Sequence, residues 1–261
     1  MFNIKPDIKE IKNKIKEDGF FIINNCIEKN LIKELREYWL NKIQYFNKSK
    51  KHVGGNFYLG EENFVSFSKT NNYSLYRHFD FLWNKEESKL SRQINTEVHK
   101  IRNQIQDFEI NTGLEYSSDC FGFYISTSFY PSNSGRMREH VDQHEKREII
   151  NTLIPLTYKG TDWTSGGLFL MNRKGDWVDV DEVLDEGALV FFDAGLKHKV
   201  EMIKSSSNKQ VGRIGVIAIP TYFIKNVKIP VFKRSLMMLN RDVFNLPITL
   251  ARSAYKNFLQ R

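Results

Sequence analysis

Cysteine is scarce in this 261-residue chain: only Cys26 and Cys120 occur, in no CxxC or Cys/His finger spacing. That argues against a disulfide framework or a zinc finger, and the expectation is two partly buried thiols in a reducing, cytoplasmic setting. Glycine (15) and proline (6) are too few for a collagen-like or low-complexity chain. No apolar run approaches the roughly 18 residues of a membrane span. The opening stretch MFNIKPDIKEIKNKIKEDG is charged where a secretory leader would be apolar. Acidic residues are in the minority, 31 against 39 basic, giving a formal net charge of +8.

What the chain does have is a globular composition. The hydrophobic fraction is 41%, the aromatic fraction 13%, and 20 residues are Phe. A chain of this length and make-up buries a sizeable core as one large domain or two small ones. The positive excess is uneven. Residues 225–261 carry Lys225, Lys228, Lys233, Arg234, Arg241, Arg252, Lys256 and Arg261 against Asp242 alone, nearly the whole net charge. Such a face attracts anions, or is simply a solvated helix surface. No aromatic RNA-binding motif, finger or basic heptad accompanies it, so a nucleic-acid partner has no dedicated reader.

Periodicity divides the chain. Ile8, Ile11 and Ile15 recur at helical spacing and Gly19 follows, so 6–17 reads as an amphipathic helix. Phe20–Ile23 reads as a strand, 28–44 and 85–109 as helices, and 48–75, with Gly54, Gly55 and Gly60, as an irregular lid loop. From residue 119 onward short β-like runs alternate with turns: 121–129, 148–156, 167–171, 177–180, 187–192, 198–203 and 213–219. That spacing predicts a sandwich or barrel. Residues 232–259 return to helix. The expected layout is a single domain, with a helical cap and lid over 1–118, a β core over 119–224 and a basic helical tail over 225–261.

Two His-x-Asp triplets occur, His78-Phe79-Asp80 and His140-Val141-Asp142. On a strand, residues two apart face one side, so either pair offers a metal two ligands. His140 lies beside the β-rich half and has a later strand residue, His198, to complete it. His140, Asp142 and His198 form a two-histidine, one-carboxylate face suited to iron(II) with open positions. His78 and Asp80 are expected to be a surface or capping pair, and His52, His99 and His144 have no evident partners. Arg213 opens the last apolar strand. It is either half of a buried Arg–Asp pair or a fork for a ligand carboxylate. With the triad upstream the ligand role is preferred, with Gly215, Ile217 and Ile219 facing the same way.

Residues 120–220 together resemble the iron(II)/2-oxoglutarate-dependent dioxygenases, of the prolyl-hydroxylase-like and phytanoyl-CoA-dioxygenase-like kinds. The likeness rests on Tyr130-Pro131, Gly135 and His140-Val141-Asp142, then Ile154-Pro155-Leu156, Trp163 and Gly166-Gly167-Leu168, then Gly187 to Phe192 with His198, and finally Arg213. Glu17 to Ile23 is similar to the opening of phytanoyl-CoA-type and amino-acid-hydroxylating members. The resemblance implies an α+β, mainly β fold: a double-stranded β-helix (jelly-roll, cupin-like) with an N-terminal helical cap and C-terminal helices. It implies iron(II) on His140, Asp142 and His198, with 2-oxoglutarate as cosubstrate and oxygen as oxidant. Arg213 would hold the distal carboxylate. Many members carry Ser or Thr two positions after the basic residue, whereas Gly215 stands here, so a second donor is sought in Tyr130 or Asn151.

The implied reaction couples oxidative decarboxylation of 2-oxoglutarate to hydroxylation of an aliphatic C–H. An aspartate at 142 favours hydroxylation over halogenation. The substrate is expected to be a small anionic or amino-acid-like molecule, touched by Arg136, Arg138, Trp163 and the 48–75 loop, on a monomer or homodimer away from membranes. Two alternatives stand beside this reading: an oxygenase that modifies protein or nucleic acid, and a non-redox cupin-like metal-binding protein.

Overall fold

The computed structural model describes residues 1–45, 50–51, 63–70, 73–82, 84–115, 122–142, 149–207 and 211–220. The basic tail over 225–261, most of the expected lid, His52, His144 and Cys120 lie outside the described residues.

Three helices are found among the described residues, all N-terminal to Phe123 and interleaved with the first four strands. Helix α1 spans Ile8–Asp18; Asp7 caps it by accepting from the Lys9 and Glu10 amides at 2.9 and 3.1 Å. It ends at Gly19, whose φ of 89° lets its N–H return to the Ile15 carbonyl. A Cβ at Gly19 would lie 2.7 Å from Leu196, so the turn demands glycine on two counts. Helix α2 is Lys29–Ile43 and α3 is Lys89–Ile105, the latter capped by Ser88. Their apolar stripes, Ile11 and Ile15, Ile32, Leu35 and Trp39, and Ile94, Val98, Ile101 and Ile105, share one core.

The strands are β1 (Phe20–Ile23), β2 (Lys50–Lys51), β3 (Phe64–Thr70), β4 (Tyr73–Phe81), β5 (Phe123–Pro131), β6 (Met137–His140), β7 (Ile150–Pro155), β8 (Ser165–Met171), β9 (Trp177–Asp179), β10 (Leu189–Asp193), β11 (His198–Lys204) and β12 (Gly212–Pro220). They form an eight-stranded sheet ordered β1-β10-β7-β12-β5-β4-β3-β2 and a four-stranded sheet ordered β6-β11-β8-β9. Strand β10 explains the layering. Leu189 and Phe191 belong to the core beneath the helices, whereas Val190 and Phe192 belong to the core between the sheets. A strand covered on both faces must be apolar throughout, as Leu-Val-Phe-Phe is. Arg102 on α3 is fully buried and donates to the Ala218 carbonyl of β12 at 2.6 Å, while Arg36 on α2 forks Asp162 at 2.6 and 2.8 Å. The cap is thereby tied to the sheet by charge as well as by area.

The β core and the three helices stand where the sequence placed them. The described part of the expected 48–75 loop is strand instead from Phe64 onward, and the last of this strand structure runs on through residue 81. Strands β3 and β4 pair antiparallel, from Phe64 with Phe79 to Thr70 with Tyr73, and β4 pairs with β5, widening the large sheet. The His78-Asp80 pair is correspondingly buried, at 3% and 2% exposure, rather than a surface pair. His78 bonds Glu87 at 3.1 Å and packs against Trp39, and Asp80 is paired with Arg92. Among the described residues no helix is long and apolar enough to cross a membrane.

Candidate metal centre

His140 and His198 are direct partners across the β6–β11 ladder, with ring centroids 4.1 Å apart. The next pair is Val200 with Met137, so β6 advances three residues while β11 advances two. This bulge lets both Met137 and His140 line the space between the sheets, and Arg138 and Glu139 are left exposed. Asp142 lies beyond the end of β6. Its backbone N–H donates to Ala194 at 3.1 Å, which returns the carboxylate to the same space.

The histidine tautomers follow from their neighbours. Nδ1 of His140 lies 2.8 Å from the Arg138 carbonyl and Nδ1 of His198 lies 2.9 Å from the Leu196 carbonyl. A carbonyl only accepts, so both Nδ1 atoms carry hydrogen and both Nε2 lone pairs are free. Those Nε2 atoms lie 3.7 and 3.8 Å from the two carboxylate oxygens of Asp142. The three ligand atoms fall within 4.8 Å of one another. Burial lowers the His198 pKa, which favours the neutral ring a metal needs. Asn151 on β7 donates its amide to Asp142 Oδ2 at 2.6 Å and so fixes the carboxylate. The donor set, its tautomers and its outer hydrogen bonds fit a divalent metal.

The triad borders a cavity of about 470 Å³ between the sheets. Leu75, Arg77 and Phe79 on β4, Tyr124, Ser126, Ser128 and Tyr130 on β5, and Arg213, Ile217 and Ile219 on β12 supply one wall by their period of two. Arg213 is 4% exposed and cradled by Asp181, with Nε–Oδ2 at 2.6 Å and Nη2–Oδ1 at 3.1 Å. Arg213 is thus half of a buried ion pair, one of the two roles considered for it, and it also forms part of the cavity wall. Tyr130 is its register partner on β5, and the guanidinium carbon lies 5.8 Å from the Tyr130 ring centroid.

The residues expected to touch substrate fall elsewhere. Trp163 is wholly buried in the core between the sheets and does not reach the cavity. Arg138 is exposed and Arg136 half-buried, and neither lines the cavity, because the wall position between them is Met137. Asn151 faces the cavity with its amide committed to Asp142. Arg77, unremarked in the sequence reading, does line the cavity, and its Nη2 lies 3.0 Å from Met137 Sδ. The signal for it was the alternation of Leu75, Arg77 and Phe79 with Tyr76, His78 and Asp80.

No family model and no curated protein matches the chain. Solved structures do. A prolyl-4-hydroxylase from Pseudomonas putida superposes with a TM-score of 0.57 at 16% identity, over 83% of this chain and 100% of that one. A Trichoplax adhaerens prolyl hydroxylase, solved with a hypoxia inducible factor peptide, gives 0.57 at 15% identity over 82% and 88%. The epimerase SnoN from nogalamycin biosynthesis, solved with Fe3+, alpha ketoglutarate and nogalamycin RO, gives 0.52 at 10% identity over 82% and 83%. The chain thus has the double-stranded β-helix fold of the non-haem 2-oxoglutarate oxygenases.

Proposed function

We propose that the protein is an iron(II)- and 2-oxoglutarate-dependent dioxygenase that hydroxylates an aliphatic C–H of a small molecule. The observation that carries this reading is the convergence of His140 Nε2, His198 Nε2 and the Asp142 carboxylate on one point of the cavity wall. These three would hold the metal, and iron bound there would supply the oxygen chemistry. The fold likeness supports the same cofactor pair, since one matched structure contains iron and alpha ketoglutarate.

The chain's own residues have separable tasks. Arg138 and Leu196 carbonyls hold the imidazoles with Nε2 outward, and Asn151 holds the carboxylate. Arg213 presents the part of its fork that Asp181 leaves open to the distal carboxylate of 2-oxoglutarate, beside the Tyr130 ring. Phe79, Leu153, Leu168 and Phe192 line the remainder and exclude water from the reacting C–H. The cavity is of the size small-molecule sites take, and this favours a metabolite over a macromolecule. A small anionic or amino-acid-like substrate stays the reading by composition, without Arg136 and Arg138 as its contacts.

Anaerobic titration with iron(II) and then 2-oxoglutarate tests the proposal. A visible metal-to-cosubstrate charge-transfer band that shifts on adding substrate is expected, with succinate released in air. Metal binding without any response to 2-oxoglutarate would refute it in favour of a non-redox metal protein.

A further inference from the structure

Granting that cosubstrate role to the cavity, Arg213 alone does not supply the charge the role needs. Its Nε and Nη2 are spent on Asp181, and the two side chains are 5% and 2% exposed. As a pair they are electrically neutral in a space with little water. Asp179, itself bound to Lys159 at 2.6 Å, adds a further carboxylate within Coulombic range of Arg213. Were iron(II) held by two neutral histidines and Asp142, the metal centre would have one net positive charge. The cosubstrate brings two negatives. One negative charge would be left uncompensated in the interior, a costly arrangement.

The cavity wall holds the missing cation. Arg77 lines the cavity, and its side chain forms no ion pair with any described residue; its one side-chain hydrogen bond to a described residue goes to Met137 Sδ. Tyr130, the register partner of Arg213, also points its hydroxyl at that sulfur, at 3.8 Å. Ladder register places Arg77 opposite Ser128 and Ser128 opposite Gly215, so one rung crosses β4, β5 and β12. Adjacent strands are about 4.8 Å apart, so Gly215 is about 10 Å across the sheet from Arg77, within reach of two converging side chains. Gly215 leaves the rung open there. A Cβ on it would stand 3.4 Å from Arg213 Nη1 and 2.7 Å from Leu153 Cδ1. Nη1 is thus directed at the bare stretch of backbone next to Ser128, whose hydroxyl has no hydrogen-bond partner among the described residues and faces the cavity.

We propose that Arg77 and Ser128 complete the carboxylate subsite over Gly215, with Arg77 supplying the net positive charge and Ser128 the hydroxyl that position 215 lacks. Arg213, clamped by Asp181, gives direction more than charge. Asp181 acts as a positioning residue, holding the guanidinium plane through two bonds.

Calorimetric titration of the Mn(II)-loaded, oxygen-free protein tests this. Two ligands are compared: 2-oxoglutarate, and 2-oxopentanoate, which has the same keto-acid head and chain length without the distal carboxylate. Arg77→Met is expected to weaken 2-oxoglutarate about tenfold or more and to leave 2-oxopentanoate unchanged, as loss of a charge-assisted contact should. Ser128→Ala is expected to weaken 2-oxoglutarate several-fold. Arg77→Lys, which keeps the charge, should recover most of the affinity, and adding Asp181→Asn to Arg77→Met should recover part by freeing the charge of Arg213. Unaltered 2-oxoglutarate affinity in Arg77→Met overturns the proposal, as does an equal loss of both ligands in Arg77→Lys. Absence of any metal-dependent 2-oxoglutarate binding in the wild type would instead refute the oxygenase reading on which the proposal rests.

Discussion

Asn151 donates to Asp142 across 2.6 Å, from an interior strand of one sheet to the segment just past an edge strand of the other. Asp142 itself is about a third exposed and lies past the last residue of β6. Little but this bond and the Asp142 amide's bond to Ala194 determines where its oxygens point. Asn151→Leu should therefore weaken Mn(II) or iron(II) affinity by about 10–100-fold, the usual cost of losing an outer hydrogen-bond partner. Equilibrium metal titration reads this directly. Asn151→Asp should do worse, because a second carboxylate would face Asp142.

The two His-x-Asp triplets separate cleanly in a paired experiment. His198→Ala removes one of three ligands and should abolish metal binding while leaving the fold intact. His78→Ala should leave metal affinity as in the wild type. It should instead lower stability in urea by about 1–3 kcal/mol, since it strips Glu87 of a partner and Trp39 of a packed ring. Equal loss of metal in both variants would mean that the centre is built differently.

Much of this centre was legible because its chemistry is compressed into short spacings. The His140–Asp142 interval, the apolar run into His198 and the alternation that opens with Arg213 each mark a strand or its end. The β6 bulge was not legible, because it exists only in the pairing of Met137 with Val200 and of His140 with His198, 58 and more residues apart. Arg77 was missed for a different reason. The glycines at 54, 55 and 60 led 48–75 to be read as loop and 76–84 was given no element, although Leu75, Arg77 and Phe79 alternate with Tyr76, His78 and Asp80 as a two-faced strand should. Trp163, expected to touch substrate, is packed wholly within the core between the sheets.

The Arg213–Asp181 pair makes a prediction about stability that is independent of any ligand. Arg213→Met leaves the Asp181 carboxylate buried with only the Leu168 amide, 2.6 Å from Oδ2, to satisfy it. Removing one member of a buried pair costs about 3–5 kcal/mol, mostly from the charge left behind. The Arg213→Met/Asp181→Asn double variant should recover a good part of that loss, because the neutral amide still accepts from Leu168. Urea unfolding of the two variants and the wild type measures both effects. A double variant no more stable than Arg213→Met would show that the pair matters through shape and not through charge.

His99 should give the fold its acid sensitivity in the mildly acidic range. It is fully buried on α3, stacked on Phe123 at 4.7 Å, with Nε2 3.0 Å from the Thr112 carbonyl. That carbonyl requires hydrogen on Nε2, so Nδ1 is left as the acceptor for the Arg102 guanidinium. A protonated ring would lose this acceptor and face a buried cation. Burial first, and Arg102 second, hold the His99 pKa down at about 2. In the unfolded chain it titrates near 6.5. Between these values the unfolded state binds the extra proton, so stability rises with pH through the window and falls as the solution is acidified below about 6.5. The slope for one such group is about 1.4 kcal/mol per pH unit. Urea midpoints measured at pH 7, 6 and 5 should decline accordingly. His99→Gln should be less stable at pH 7 yet show a shallower decline; a decline as steep as that of the wild type would assign the acid sensitivity to another group.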